Sequence, residues 1–228
     1  MKKCAIIQSN FLPWKGYFDI INDVDIFIFL EDVQYTKRDW RNRNMIKVSN
    51  GTTQWINVPV HSEKIQNISN VKIRYDNDWN ELIKTKINAN YKKAPYFDSY
   101  VDTLFSYLDK KYVYLSSLNI DLIVAISDIL GIHTKFINSV DLETNGTKDD
   151  KLLSLCKKVD ADYYLSGPAA KNYIDVEKFK FAGVELAYKD YNYSKYPQQW
   201  GNFEHAVSII DLLFNCGENA PRYIWGKK

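Results

Sequence analysis

Gln8-Ser9-Asn10-Phe11-Leu12-Pro13-Trp14-Lys15-Gly16-Tyr17 puts two amides, a lysine and a tyrosine between two apolar runs. Amides read hydroxyls and bases, and a lysine holds a phosphate as a point charge. A second stretch, 31–44, carries Asp32, Gln34 and Tyr35, then Lys37, Arg38, Arg41 and Arg43 with Trp40 and Asn42 among them. Arginine forks match phosphate or carboxylate oxygens bidentately, and a tryptophan between them can stack on a ring or cover a cation. A solvated basic loop paired with Glu31, Asp32 and Asp39 would have the same composition. A third stretch, 164–174, contains Ser166-Gly167-Pro168 and Lys171. There Pro168 fits a first helical position with Lys171 one turn in, which makes either an anion cradle or an ordinary capped helix.

These residues do chemistry only if the fold gathers them. Residues 3–8 read as a buried strand, 17–22 as a helix and 25–30 as a second buried strand, β-branched and aromatic without strict alternation. That is a βαβ unit with a right-handed crossover. Runs 45–48 and 54–58 flank Asn50-Gly51 and predict a hairpin that Pro59 ends; 71–75 adds an edge strand. Helical spacing follows in three stretches from Trp79, from Tyr96 and around Leu118 to Leu130, with Gly131 as a stop. Strands at 134–137, 162–165 and 184–188 then alternate with helices at 149–158 and 206–214. The expected class is α/β, a mostly parallel sheet with Rossmann-like crossovers and an inserted β-hairpin plus helical segment. One domain over 1–228 is expected, with the insertion at about 44–131. If the sheet is parallel, the loops after its first, second and fourth strands face one crevice, where ligands of such sheets bind.

Composition narrows the partners. A net charge of +2 gives no global field for DNA, RNA or an anionic membrane. No apolar run reaches the roughly 20 residues of a membrane helix, and no signal peptide is readable, so a cytoplasmic protein is expected. Cys4, Cys156 and Cys216 lie far apart in apolar contexts and read as core thiols. His61, His133 and His205 show no ligand spacing, so no metal site is expected. Each is read as structural. Aromatics make up 15% of the chain and suit sugar, base or protein contacts.

The stretch from Ile6 to Lys47, with Gly16-Tyr17-Phe18, Glu31-Asp32-Val33-Gln34-Tyr35 and Asn42-Arg43-Asn44, resembles the start of WbqC-like proteins. Gln54 to Val60, Tyr91 to Phe97, Leu130 to Thr134, Asp160 to Ala170 and Ser208 to Gly217 are similar to that family's later blocks. Ser9 stands where the family pattern usually has proline, and Glu31 where it often has aspartate. The resemblance implies bacterial surface-polysaccharide and O-antigen biosynthesis, with a nucleotide-linked sugar, an amino sugar, as substrate or product. The first loop and the late Ser-Gly loop are also similar to nucleotidyltransferase-type α/β enzymes, which carry two histidines where Lys15 and Tyr17 stand here.

The expected function is transfer of an acyl or aminoacyl group to a nucleotide-linked amino sugar through an adenylate. Its catalytic candidates are Lys15, Asp32 and Tyr17: Lys15 neutralising charge, Asp32 as base. Lys37, Arg38 and Arg43 would hold phosphates, and Gln8, Asn10 and Gln34 would read hydroxyls. Tyr35, Trp40, Asn42, Ser166, Gly167 and Lys171 complete the binding set. ATP or another nucleotide is the cofactor this admits, with Mg2+ and a homo-oligomer left open. The alternative is a non-catalytic carbohydrate- or partner-binding subunit that makes contact through Trp14, Trp40, Trp55, Tyr17 and Tyr35.

Overall fold

A computed structural model describes residues 1–61 and 63–226. β1 (Lys3–Ile7) turns Cys4 and Ile6 to one side and Ala5 to the other, all buried. After α1 (Lys15–Asn22), β2 (Ile26–Phe29) does the same: Ile26 and Ile28 join Cys4, while Phe27 and Phe29 join Ala5. Strands apolar on both faces must be covered on both.

After β2 the chain leaves the sheet. It forms the antiparallel hairpin β3 (Arg43–Lys47) and β4 (Thr53–Asn57), with Asn50-Gly51 in the turn. The expected edge strand at 71–75 shortens to β6 (Lys72–Ile73), which pairs with β5 (Val60–His61) and lies outside the main sheet. Its other edge bridges Tyr114: the Ile73 N–H donates to the Val113 carbonyl at 3.0 Å, and the Leu115 N–H donates to the Val71 carbonyl at 2.9 Å. α2 (Trp79–Tyr91), α3 (Phe97–Asp109) and α4 (Leu115–Ile129) follow. The chain rejoins the sheet as β7 (Lys135–Asn138), then runs α5 (Asp149–Lys158), β8 (Tyr163–Ser166), α6 (Val176–Phe181), β9 (Glu185–Tyr188), α7 (Ile209–Cys216) and α8 (Arg222–Trp225).

The five-stranded sheet has the order β7-β2-β1-β8-β9, parallel throughout. α1, α4 and α7 bury Phe18, Ile123 and Phe214 with the Ala5 face, and this cluster continues without a break into the insertion through Ile46, Ile83 and Leu104. α5 and α6 bury Leu155, Cys156 and Phe179 on the other face. β1 and β8 are neighbours from which the chain winds off in opposite directions, so the crevice above their carboxyl ends is the topological switch point.

Two expected helix starts move. Pro168 begins a 3-10 turn, Pro168–Asn172, and the α-helix waits for Asp175, whose carboxylate caps the N–H groups of Glu177 and Lys178. The last helix begins at Ile209, since Ser208 caps it.

A buried carboxylate joins the insertion to the C-terminal part. Asp211 accepts from Tyr91 Oη at 2.7 Å, Tyr196 Oη at 2.6 Å and Gln198 Nε2 at 2.8 Å. Tyr91 Oη accepts in turn from the Lys47 N–H at 2.9 Å. The Lys47 ammonium, itself buried, bonds Gln198 and the Asn202 carbonyl. Tyr91→Phe strips a charge-assisted bond from Asp211 and an acceptor from Lys47. It should cost about 2 kcal/mol in chemical denaturation; a loss under about 0.5 kcal/mol would show that water replaces the hydroxyl.

Candidate functional site

The first two carboxyl-end loops are bound together by a small polar network. Glu31, wholly buried directly after β2, accepts from the Ser9 N–H at 2.7 Å and Ser9 Oγ at 3.1 Å. Asn119 of α4 donates to Ser9 Oγ and, at 2.8 Å, to the Arg41 carbonyl. The Arg41 guanidinium spans the first loop, with Nη1 to Asn10 Oδ1 at 2.8 Å and Nη2 to Gln8 Oε1 at 2.9 Å. The backbone bond from Phe11 N–H to the Trp40 carbonyl, 3.0 Å, adds a further tie. Leu12, buried, holds a left-handed φ of +44°, and its carbonyl accepts from Asn44 Nδ2 and Ser208 Oγ, each at 2.8 Å. A strained non-glycine residue persists only where its surroundings over-determine it.

Two concavities open on either side of this network. One, about 270 Å3, lies at the switch point: Gln8 at the end of β1, Ser166 and Gly167 at the end of β8, and Lys148 and Lys151 at the start of α5. Ser166 Oγ there is 3.3 Å from Tyr164 Oη. The other, about 240 Å3, lies between Asn10, Pro13 and Trp14 of the first loop and Trp40, Asn44 and Ala206. Arg41 touches Gln8 on one side and Asn10 on the other, so it stands between the two.

Of the residues expected from sequence, Gln8, Ser166 and Gly167 meet in the first concavity, and Asn10 and Trp40 in the second. Asp32 stands beside the first, ion-paired to Lys151 and accepting from Ser139 Oγ at 2.5 Å. The others are engaged differently. Lys15 is buried under the rings of Tyr193, Tyr196 and Phe203, 4.7, 5.1 and 5.9 Å from Nζ, and that burial lowers its pKa to about 8. Tyr17 donates to the Gln8 carbonyl at 3.0 Å, and burial pushes its hydroxyl well above the usual range. Tyr35 is buried and pushed up to about 12. Gln34 is exposed and forms a β-bridge with Asn67. Asn42 locks the hairpin through Asn57 Oδ1 and the Val58 carbonyl. Arg43 lies 4.2 Å from the Trp55 ring and donates to the Arg38 carbonyl. Lys37 and Arg38 are exposed. Lys171 is also exposed, over the Tyr188 ring at 5.4 Å, on a 3-10 turn too short to provide a helix N-terminus.

Asn44, Lys148 and Lys151 were not singled out from sequence; Arg41 stands among the loop's cations there without a role, and Glu31 only as a departure from the family pattern and a pairing partner for the basic loop. A signal existed for the lysines: Lys148, Lys151 and Leu152 precede the inward Leu155 by helical steps, on the same stripe. Nothing in the run of cations separated Arg41 from its neighbours.

Burial raises the Glu31 pKa, against the lowering pull of the Ser9 donors and Arg41. Protonation is then favoured more in the folded chain than in the unfolded one. The resulting stability is full below the unfolded value of about 4.3 and is lost as pH rises through the folded one. Glu31→Gln has no such dependence, so as pH rises from about 4 the wild type should lose unfolding free energy relative to it; a constant gap would contradict the assignment. Ser9→Pro removes both donors and should cost about 3 kcal/mol at neutral pH by denaturant titration.

Comparison with known proteins adds a family. The profile of the WbqC-like protein family matches residues 8–223, spanning both concavities. The uncharacterized protein Rv1507c of Mycobacterium tuberculosis is 45% identical over 230 residues, covering 98% of each chain. No solved structure matches the sequence. With a match of that extent over the loops that build the site, the chain belongs to the WbqC-like protein family.

Proposed function

We propose that the protein is a group-transfer enzyme of bacterial surface-glycan assembly, moving an acyl or aminoacyl group onto the amine of a nucleotide-linked sugar by way of an adenylate. The observation that carries the reading is the switch-point concavity, which combines Gln8, Ser166 and Gly167 with the two ammonium groups of Lys148 and Lys151. Crevices at this place in parallel sheets take nucleotides, and cations set beside a dry wall stabilise phosphate charge.

In the transfer step, the sugar amine attacks the acyl carbon. A C–N bond forms, the C–O bond to the nucleotide phosphate breaks, and the phosphate leaves with the electron pair. One proton leaves the nitrogen, and Asp32, ion-paired to Lys151 of the concavity, is the carboxylate we assign to take it. Lys151, paired with Asp32, would turn to the phosphate and release the carboxylate. Lys15, under its aromatic rings, has no place in this step. Exposed Trp40 and Trp55 favour a second reading, a carbohydrate-binding subunit without catalysis.

A thermal-shift panel of ATP, UTP, their monophosphates and UDP-N-acetylglucosamine tests the proposal. At least one nucleotide should raise the midpoint, by an amount that grows with its concentration. Lys148→Ala, alone and combined with Lys151→Ala, should reduce that rise by at least tenfold in apparent affinity. No response to any nucleotide, or an undiminished one in the double variant, would overturn the reading.

A further inference from the structure

We infer that the Trp14–Trp40 concavity is a pyranose subsite, separate from the switch-point crevice and built to hold one sugar ring. Its two aromatic walls are fixed before any ligand arrives. The benzo ring of Trp14 lies where a side chain at Gly16 would begin: a Cβ there would come within 2.3 Å of it. The ring is also met edge-on by Tyr191 at 5.1 Å and Tyr193 at 5.8 Å. Trp40 leans on Trp55, centroids 5.4 Å apart, and the guanidinium of Arg43 covers Trp55. Rigid aromatic planes lose little conformational entropy on binding, which is why such residues serve as anchors.

The polar groups at this concavity specify the ligand. Asn10 Oδ1 is taken by Arg41, and Asn44 spends both ends of its amide on the backbone of Phe11, Leu12 and Met45. Among the described residues, the Asn10 NH2 and the indole N–H groups of Trp14 and Trp40 have no hydrogen-bond partner in the protein. These are donors only, and no charged side chain lines the space. Donors beside apolar planes suit a neutral ring that presents C–H faces and oxygen acceptors, which describes a pyranose with hydroxyl or N-acyl oxygens. A pyranose hydroxyl can turn its lone pairs to these donors and its own O–H to water, whereas a nucleobase edge holds its donors fixed in the ring plane against them. At about 240 Å3 the space lies below the roughly 300–1,000 Å3 of drug-sized pockets, which fits one ring.

Arg41 reaches both concavities through Gln8 and Asn10, so a ring in one and a phosphate in the other would flank the same guanidinium. That the ring belongs to the acceptor of the transfer rests on the function proposed above; that a ring binds here does not.

The test is saturation-transfer NMR on the full chain with methyl glucoside, methyl N-acetylglucosaminide and adenosine. The wild type should saturate the ring protons of at least one glycoside. Trp40→Ala, at a partly exposed position, should lower that signal at least fivefold while leaving the nucleotide thermal shift unchanged. Gly16→Ala, which displaces the Trp14 ring, should lower it as well. Lys148→Ala should leave it intact. No glycoside signal, a signal unmoved by Trp40→Ala, or displacement of the glycoside by adenosine would overturn the subsite. Nucleotide binding without glycoside binding would sink the subsite and leave the nucleotide crevice standing; the reverse would support the subsite and sink the nucleotide reading.

Discussion

Glu31 has no contact with solvent, and its oxygens take both donors of Ser9 one loop away. Burying a carboxylate is costly unless donors replace the lost water, so this pair fixes how close the first two carboxyl-end loops can lie. Arg41 can then reach Gln8 and Asn10 together, and Asn119 can close the back of the arrangement. Without the carboxylate the guanidinium would keep Asp39, 3.5 Å away, as a counter-charge but lose the buried one behind Ser9. The position of both concavities follows from this one buried interaction. Ser9 and Glu31 are also the two places where the sequence departs from the pattern it resembles. A proline at 9 would offer neither an N–H nor a hydroxyl to Glu31.

The architecture was readable because both faces of its strands are buried and each βα step is short. Ile26 to Phe29 had to be covered on two sides, and the helix at Asp149–Lys158 lies where its spacing put it. The extent of β6 was not readable, because Val71 to Tyr75 has strand composition but, among the described residues, two of them join the ladder with β5. The start of α6 depended on competition between Pro168 and Asp175, which local propensity does not resolve.

The site was legible by loop and much less by residue. Topology brought Gln8 and Ser166-Gly167 to one crevice. It could not show that Asn42 and Arg43 would be spent on the hairpin and on Trp55, or that Lys15 would turn toward Tyr193 and Tyr196. The last of these depends on the segment between β9 and α7, which has no regular structure and which no short-range pattern places over α1. Lys189 ties the start of that segment to Asp19 and Asp23, and Tyr193 bonds Asp19 at 2.6 Å.

The central place of β1 has a consequence for how the chain comes into being. The strand made first is flanked by β2 on one edge, and on the other by β8, made much later; the Lys2 N–H finds Asp162 across 160 residues. At common ribosomal speeds that edge waits on the order of ten seconds with its backbone groups unpaired. During that interval an apolar strand without its neighbour is a template for another nascent chain, so the order of synthesis, more than the finished stability, sets when this protein is open to misassembly.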